Sequence, residues 1–217
     1  HGHHVLMEKT LQWIKDQKLD REICIIAGNV ATREGASDLL AWGADIIKVG
    51  IGPGAACTTR RKTGVGVPQL KALESIRWCL PNCIMIADGG YKNGNDFAKA
   101  LKYANASMTG SCLAGTSETP GKVYPDETTD LSNRRYYKVY RGSASAESHS
   151  RIGRENKYVE GMVKMVDFKG EAKYILSEIK DGIQGSCSMV GAFNLNEFKK
   201  LADLEVISTG AMMESKH

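Results

Sequence analysis

The amino-acid sequence predicts an α/β fold of parallel strands, a (β/α)8 TIM barrel of which this chain of 217 residues carries about the second half. Three observations predict it. Short apolar runs alternate with segments whose apolar residues recur at helical spacing. Glycines stand just after those runs, where strands would end: Gly28, Gly50 and Gly52, Gly89 and Gly90, Gly110 and Gly115. Apolar residues make up 42% of the chain, which suits one domain with a sizeable core.

In chain order, Met7, Leu11 and Ile14 mark an amphipathic helix, the one that would follow a strand lying before residue 1. Ile23 to Ala27 reads as a buried strand, and Ala36, Leu39 and Leu40 as a helix face ended by Gly43. Ile46 to Val49 is the next strand. Leu70, Leu73 and Ile76 mark a helix closed by Pro81, and Cys83 to Ala87 a further strand. Phe97, Ala100, Leu101 and Ala104 repeat at helical spacing before a weaker strand, Ser107 to Cys112. Strand, helix, strand at this spacing means parallel strands joined by right-handed crossovers. An open doubly wound sheet and a closed barrel compete for that pattern. Glycines at the carboxyl ends of the strands, where barrel sites lie, favour the barrel. About four βα units are legible where a barrel needs eight, so the other half is expected before residue 1.

Residues 1–217 thus read as a single catalytic barrel domain cut on its N-terminal side. Residues 120–169 read as a loop or flap inserted in it: Pro125, the run Asp126 to Asp130 and the polar stretch Ser143 to Lys157 lack periodicity. Order returns with the helix face of Ala172, Ile175, Leu176 and Ile179.

The net charge of +4 is spread along the chain, which suits a small anionic ligand; no basic stripe with interleaved aromatics supports nucleic-acid binding. No run approaches the roughly 20 apolar residues of a membrane span. Six cysteines are present, and Cys24, Cys83 and Cys112 sit in apolar runs, as buried thiols of a reduced, cytoplasmic protein would. His1-Gly2-His3-His4 reads as a tag remnant, a processed terminus or, by preference, a cut inside a longer protein.

Chemistry concentrates in Gly50-Ile51-Gly52-Pro53-Gly54-Ala55-Ala56-Cys57-Thr58-Thr59-Arg60. Glycines let backbone approach a ligand. A cysteine in such a loop is accessible, and Arg60 and Arg61 beside it would favour a thiolate nucleophile. Asp88-Gly89-Gly90 ends a strand with amides for a phosphate and a carboxylate for ribose hydroxyls, though Asp-Gly is also ordinary turn chemistry. Gly110-Ser111 and Arg141-Gly142-Ser143 add amides and hydroxyls. Glu160-Gly161 places a carboxylate after the polar stretch, with nothing in its spacing to set it apart.

The loop from Gly52 to Arg60 resembles the signature loop of inosine monophosphate (IMP) dehydrogenases and guanosine monophosphate (GMP) reductases. The resemblance extends through Ala27-Gly28-Asn29-Val30-Ala31-Thr32, Thr63-Gly64-Val65-Gly66-Val67-Pro68-Gln69, Ala87-Asp88-Gly89-Gly90, Leu113-Ala114-Gly115 and Tyr140-Arg141-Gly142-Ser143. Even His1-Gly2-His3 is similar to the end of a family strand.

The resemblance implies Cys57, Thr59 and Glu160 as catalytic residues. Asp88, Gly89, Gly90, Gly110, Ser111, Gly142, Ser143, Ala144 and Gly161 would bind substrate, and the carbonyls of Gly52, Gly54 and Cys57 a potassium ion. Dehydrogenases carry an Arg-Tyr pair in their flap. The matching Ser148 to Gly161 has Arg151-Ile152 and Arg154-Glu155 instead. Val159-Glu160-Gly161, Phe168-Lys169-Gly170 and Arg61-Lys62-Thr63-Gly64 resemble the reductase branch. The implied activity is NADPH-dependent reductive deamination of GMP to IMP by a cytoplasmic homotetramer in purine interconversion, without nucleic-acid or membrane partners. The alternatives are IMP dehydrogenase, oxidising IMP to xanthosine monophosphate (XMP) with NAD, and a purine-nucleotide-binding relative without turnover. The loop departs from the family at Ala55, where a Ser whose hydroxyl helps hold the phosphate is usual.

Overall fold

Four of the apolar runs form one parallel sheet in the computed structural model, which describes residues 2–17, 23–128, 134–142 and 162–214. The strands are β1 (Ile26–Val30), β2 (Ile46–Val49), β3 (Ile84–Asp88) and β4 (Ala106–Met108). They pair in sequence order, Ile46 opposite Ile84 and Ala87 opposite Ser107. A doubly wound sheet reverses its order at a switch point. This one does not, and it keeps the order of a barrel segment.

The first strand starts later than its apolar run. The N–H of Ile25 donates to the Asp45 carboxylate at 2.7 Å, which ties the start of the run into the turn before β2. Cys24 is therefore exposed rather than packed, whereas Cys83 and Cys112 are buried as expected. Similarly, β4 ends at Met108, and Gly110 onward turns away from the sheet. Gly2 donates its N–H to the Asn29 carbonyl at 3.0 Å, so residue 2 lies beside β1 as the end of a neighbouring strand would.

Helices α1 (Val5–Asp16), α2 (Arg33–Trp42), α3 (Thr59–Thr63), α4 (Gln69–Cys79) and α5 (Gly94–Tyr103) alternate with these strands. Local chemistry sets their ends. Thr32 Oγ1 accepts the Gly35 N–H at the start of α2, and Asn93 Oδ1 accepts the Asp96 N–H at the start of α5. The core lies between helices and sheet, where Leu39, Ile47, Leu73, Ile76 and Met85 are fully buried. Each contributes on the order of 1.5–3 kcal/mol by leaving water.

The stretch read as a loop insertion contains a second sheet. Strands β5 (Val123–Pro125), β6 (Tyr136–Arg141) and β7 (Val163–Asp167) pair antiparallel in that order. The ribbon docks over the carboxyl ends of the parallel strands: Met162 N–H donates to Ala56 O at 3.1 Å and Lys169 N–H to Gly115 O at 2.9 Å. Then follow α6 (Ala172–Met189), α7 (Leu195–Leu201) and α8 (Thr209–Glu214). Ile175, Ile179 and Ile183 of α6 lean on the main core. Among the described residues, no helix is long and apolar enough to cross a membrane.

Candidate active site

The loops leaving β1, β2, β3 and β4 and the end of β6 enclose a cavity of about 450 Å³, within the size range of small-ligand sites. Cys57, Asp88, Gly89, Gly90, Gly110, Ser111 and Gly142, dispersed in sequence, all line it. Thr59 joins them from behind. Ser143, Ala144, Glu160 and Gly161 lie outside the described residues, as does the Ser148 to Gly161 stretch.

Cys57 stands at the end of a tight turn, its N–H donating to the Gly54 carbonyl at 2.9 Å. Its side chain is exposed to the cavity, while Ala56, Thr58 and Thr59 on either side are buried. Thr59, the first residue of α3, places its hydroxyl 3.2 Å from the Cys57 sulfur. The turn thus offers a thiol outward and anchors the chain inward, with a hydroxyl in proton-transfer reach.

Arg60 acts differently from its sequence reading as a partner of the thiol. Its Nε donates to Ile51 O at 3.0 Å and a terminal nitrogen to Val67 O at 2.5 Å. The side chain threads between two glycines: a Cβ on Gly52 or on Gly66 would lie 2.6 Å from Arg60 Cγ. Both glycines have positive φ, +81° and +155°. Arg60 is therefore the bolt that closes the loop from residue 51 to residue 67.

At the end of β3, Asp88 Oδ2 accepts from Asn29 Nδ2 and from the Lys48 ammonium, both at 2.8 Å. Its other oxygen has no protein donor among the described residues, which suits it to accept from sugar hydroxyls. Asn29 and Lys48 line the cavity and were not singled out from sequence. A signal existed for Lys48: a lysine inside the apolar run Ile46 to Val49 must find a partner when the strand is buried.

Of the amides proposed for a phosphate, the N–H of Gly89 is committed to Met108 O at 2.9 Å and that of Gly142 to Met162 O at 3.1 Å. That removes both as donors and leaves them wall residues. The amides of Gly90, Gly110 and Ser111 have no protein acceptor among the described residues. The Tyr140 hydroxyl stands against Gly110, 3.2 Å from where a Cβ there would be. Burial pushes its phenol above the usual value, so at neutral pH it is a hydrogen-bond donor. Tyr140 is another site residue missed in the sequence; it lay unmarked inside Tyr140-Arg141-Gly142.

Gly52, Gly54 and Cys57 supply backbone carbonyls along the same wall. A Cβ on Gly54 would meet nothing nearer than Cys57 Cβ at 3.7 Å, so the loop backbone is open there. The Gly54 carbonyl already accepts the Cys57 N–H, and the second lone pair of such an oxygen is what it could offer an alkali cation.

The family model for the IMP dehydrogenase / GMP reductase domain matches residues 1–217. The inosine-5'-monophosphate dehydrogenase of Rhizobium tropici is 39% identical over 230 residues, covering 99% of this chain and 44% of its own length. That of Methanocaldococcus jannaschii is 35% identical over 235 residues, covering 99% and 46%. Among solved structures, a cysteine-to-alanine variant of the GMP reductase of Trypanosoma brucei in complex with guanosine 5'-monophosphate superposes with a TM-score of 0.90 at 31% identity. That match covers 100% of this chain and 45% of the other. The chain spans a little under half the length of these relatives.

Proposed function

This chain belongs to the IMP dehydrogenase / GMP reductase family, and from that membership we propose that it forms the thiol-bearing half of an NADPH-dependent GMP reductase. The observation that carries the reading is the exposed Cys57 sulfur, 3.2 Å from the Thr59 hydroxyl, at the edge of a cavity lined by uncommitted strand-end amides.

The chain's own residues act as follows. Asp88, held by Asn29 and Lys48, accepts from the ribose hydroxyls. The amides of Gly90, Gly110 and Ser111, with the Tyr140 hydroxyl, hold the phosphate. Anchoring both ends sets the purine over the sulfur, and fixed orientation of this kind lowers the barrier. The Cys57 thiolate attacks carbon 2 of guanine and forms a C–S bond. A proton passed through Thr59, with Glu160 as its partner, lets the amino group leave as ammonia. A reduced nicotinamide cofactor supplies the hydride that replaces the C–S bond at carbon 2, releasing IMP and the thiolate. A potassium ion on the carbonyls of Gly52, Gly54 and Cys57 would order the turn.

The reductase is favoured by the Glu160-Gly161 and Phe168-Lys169-Gly170 segments and by the absence of an Arg-Tyr pair between Ser148 and Gly161. The GMP held by the trypanosomal structural relative agrees with it. The names of the bacterial and archaeal relatives favour a second reading, oxidation of IMP to XMP with NAD. The complete protein decides. NADPH oxidation that depends on GMP supports the reductase. NAD reduction that depends on IMP, without the former, replaces it with the dehydrogenase. Family members assemble as tetramers by resemblance, and sedimentation of the complete protein tests that part.

A further inference from the structure

We infer that Lys138, Lys164 and Lys169 are positioning residues that make the cavity selective for a phosphorylated ligand; this rests on the phosphate placement proposed above. Side chains alternate along a strand. Tyr140 of β6 pairs with Lys164 of β7, and Lys138 pairs with Val166. Lys138, Tyr140 and Lys164 therefore share one face of the ribbon, and Lys169 follows just beyond β7.

None of the three ammonium groups lines the cavity; each stands behind its wall and is given to backbone carbonyls of the segments that carry the lining residues Ala55, Gly110 and Ser111. Lys138 donates to Thr116 O at 2.9 Å and Thr119 O at 2.5 Å. Lys169 donates to Ser111 O at 3.1 Å and Cys112 O at 3.0 Å. Lys164 donates to Ala55 O at 2.6 Å, in the turn that carries Cys57.

Lys138 is only 3% exposed and is the one charged residue among the buried ones described. A buried ammonium is costly unless its donors are satisfied, and here only neutral oxygens satisfy them. None of the three lysines has a carboxylate partner among the described residues. Lys48, which itself lines the cavity, is by contrast neutralised by Asp88 at 2.8 Å.

Two consequences follow. Ammonium groups that hold the carbonyls of the turn from Gly110 to Thr119 fix the outward presentation of its Gly110 and Ser111 amides. Among the described residues no carboxylate compensates the three charges, so they favour a ligand with a highly charged group over the same ligand without it.

The test is calorimetric binding of GMP and of guanosine to the complete protein, in wild type, Lys138→Met, Lys164→Met and Lys164→Arg. Wild type is expected to bind GMP more tightly than guanosine. Each Met variant is expected to lose GMP affinity by about tenfold, the loss of one charge-assisted contribution, with guanosine affinity unchanged. Lys164→Arg is expected to keep GMP affinity. Replacing buried Lys138 risks the fold, so half-buried Lys164 decides. A Lys164→Met variant that loses both ligands equally, or neither, overturns the inference while leaving the phosphate placement standing. A wild-type protein that binds guanosine as tightly as GMP overturns that placement, and the inference with it.

Discussion

Replacing Arg60 with Met isolates what holds the cysteine loop in shape. Met keeps an unbranched stem between Gly52 and Gly66 but removes the donors to Ile51 O and Val67 O. Hydrogen bonds from a charged group contribute about 1.5–3 kcal/mol each. Arg60 is half-buried, so water partly replaces it and the lower figure applies, about 3 kcal/mol for the pair. Ile51 and Val67 pack against the edge of the core and are not among its buried residues, so the loss falls first on local opening of residues 51–67 rather than on global unfolding. At 1.4 kcal/mol per factor of ten, opening becomes about a hundredfold more frequent. Hydrogen exchange read by mass spectrometry reports it at the Cys57 amide, which is bonded to Gly54 O. Arg60→Lys, whose single ammonium cannot reproduce the planar fork, should fall between the two proteins. Unchanged exchange across this segment in Arg60→Met would refute the account of Arg60 as the loop's bolt.

Helix α6 crosses α5 where two glycines meet, and a Cβ on Gly182 would lie 2.7 Å from Gly94 Cα, whereas one on Gly185 meets nothing within 4 Å. Gly185→Ala should therefore raise stability in urea by up to about 1 kcal/mol, and Gly182→Ala should lower it, because overpacking costs about 1–3 kcal/mol; a stabilised Gly182→Ala contradicts the crossing. Ala55→Ser adds a hydroxyl on the cavity wall and should tighten GMP binding by about tenfold, with no gain for guanosine. Burial raises the Tyr91 phenol from 10 to about 12. The stability this carries is complete below pH about 10 and is lost as pH rises through about 12, on the order of 3 kcal/mol. Tyr91→Phe should therefore show a shallower alkaline loss in denaturant titrations than wild type, and parallel curves refute the assignment.

How much of this was legible in the sequence depended on the range of the contacts. The parallel strands announce themselves as apolar runs, although only one face of the sheet is buried in this chain, with Ile47, Val49 and Met85 on it and Ile26 and Ile84 exposed on the other. The cysteine loop is contiguous, so its glycines, thiol and hydroxyl could be read together. The antiparallel ribbon could not. Its strand Tyr136–Arg141 is rich in Tyr, Lys and Arg, and its partner Val163–Asp167 arrives only after a long intervening segment with no hairpin signal. Nothing in Tyr137-Lys138-Val139 marks a buried lysine, since its partners are backbone carbonyls in another loop. The Asn29–Asp88 bond spans 59 residues and depends on strand order, which periodicity does not encode. Arg60 was misassigned because sequence proximity to Cys57 suggested an electrostatic partner, whereas the glycines at 52 and 66 give its side chain a slot facing backbone.

The central claim is that Cys57 is the nucleophile of a purine nucleotide site, and one paired measurement on the complete protein reaches it most directly. Cys57→Ala should bind GMP with affinity close to wild type, because the residues proposed to hold ribose and phosphate lie elsewhere in the cavity, and should show no nucleotide-dependent turnover of either nicotinamide cofactor. Turnover that survives without the Cys57 sulfur would contradict the account.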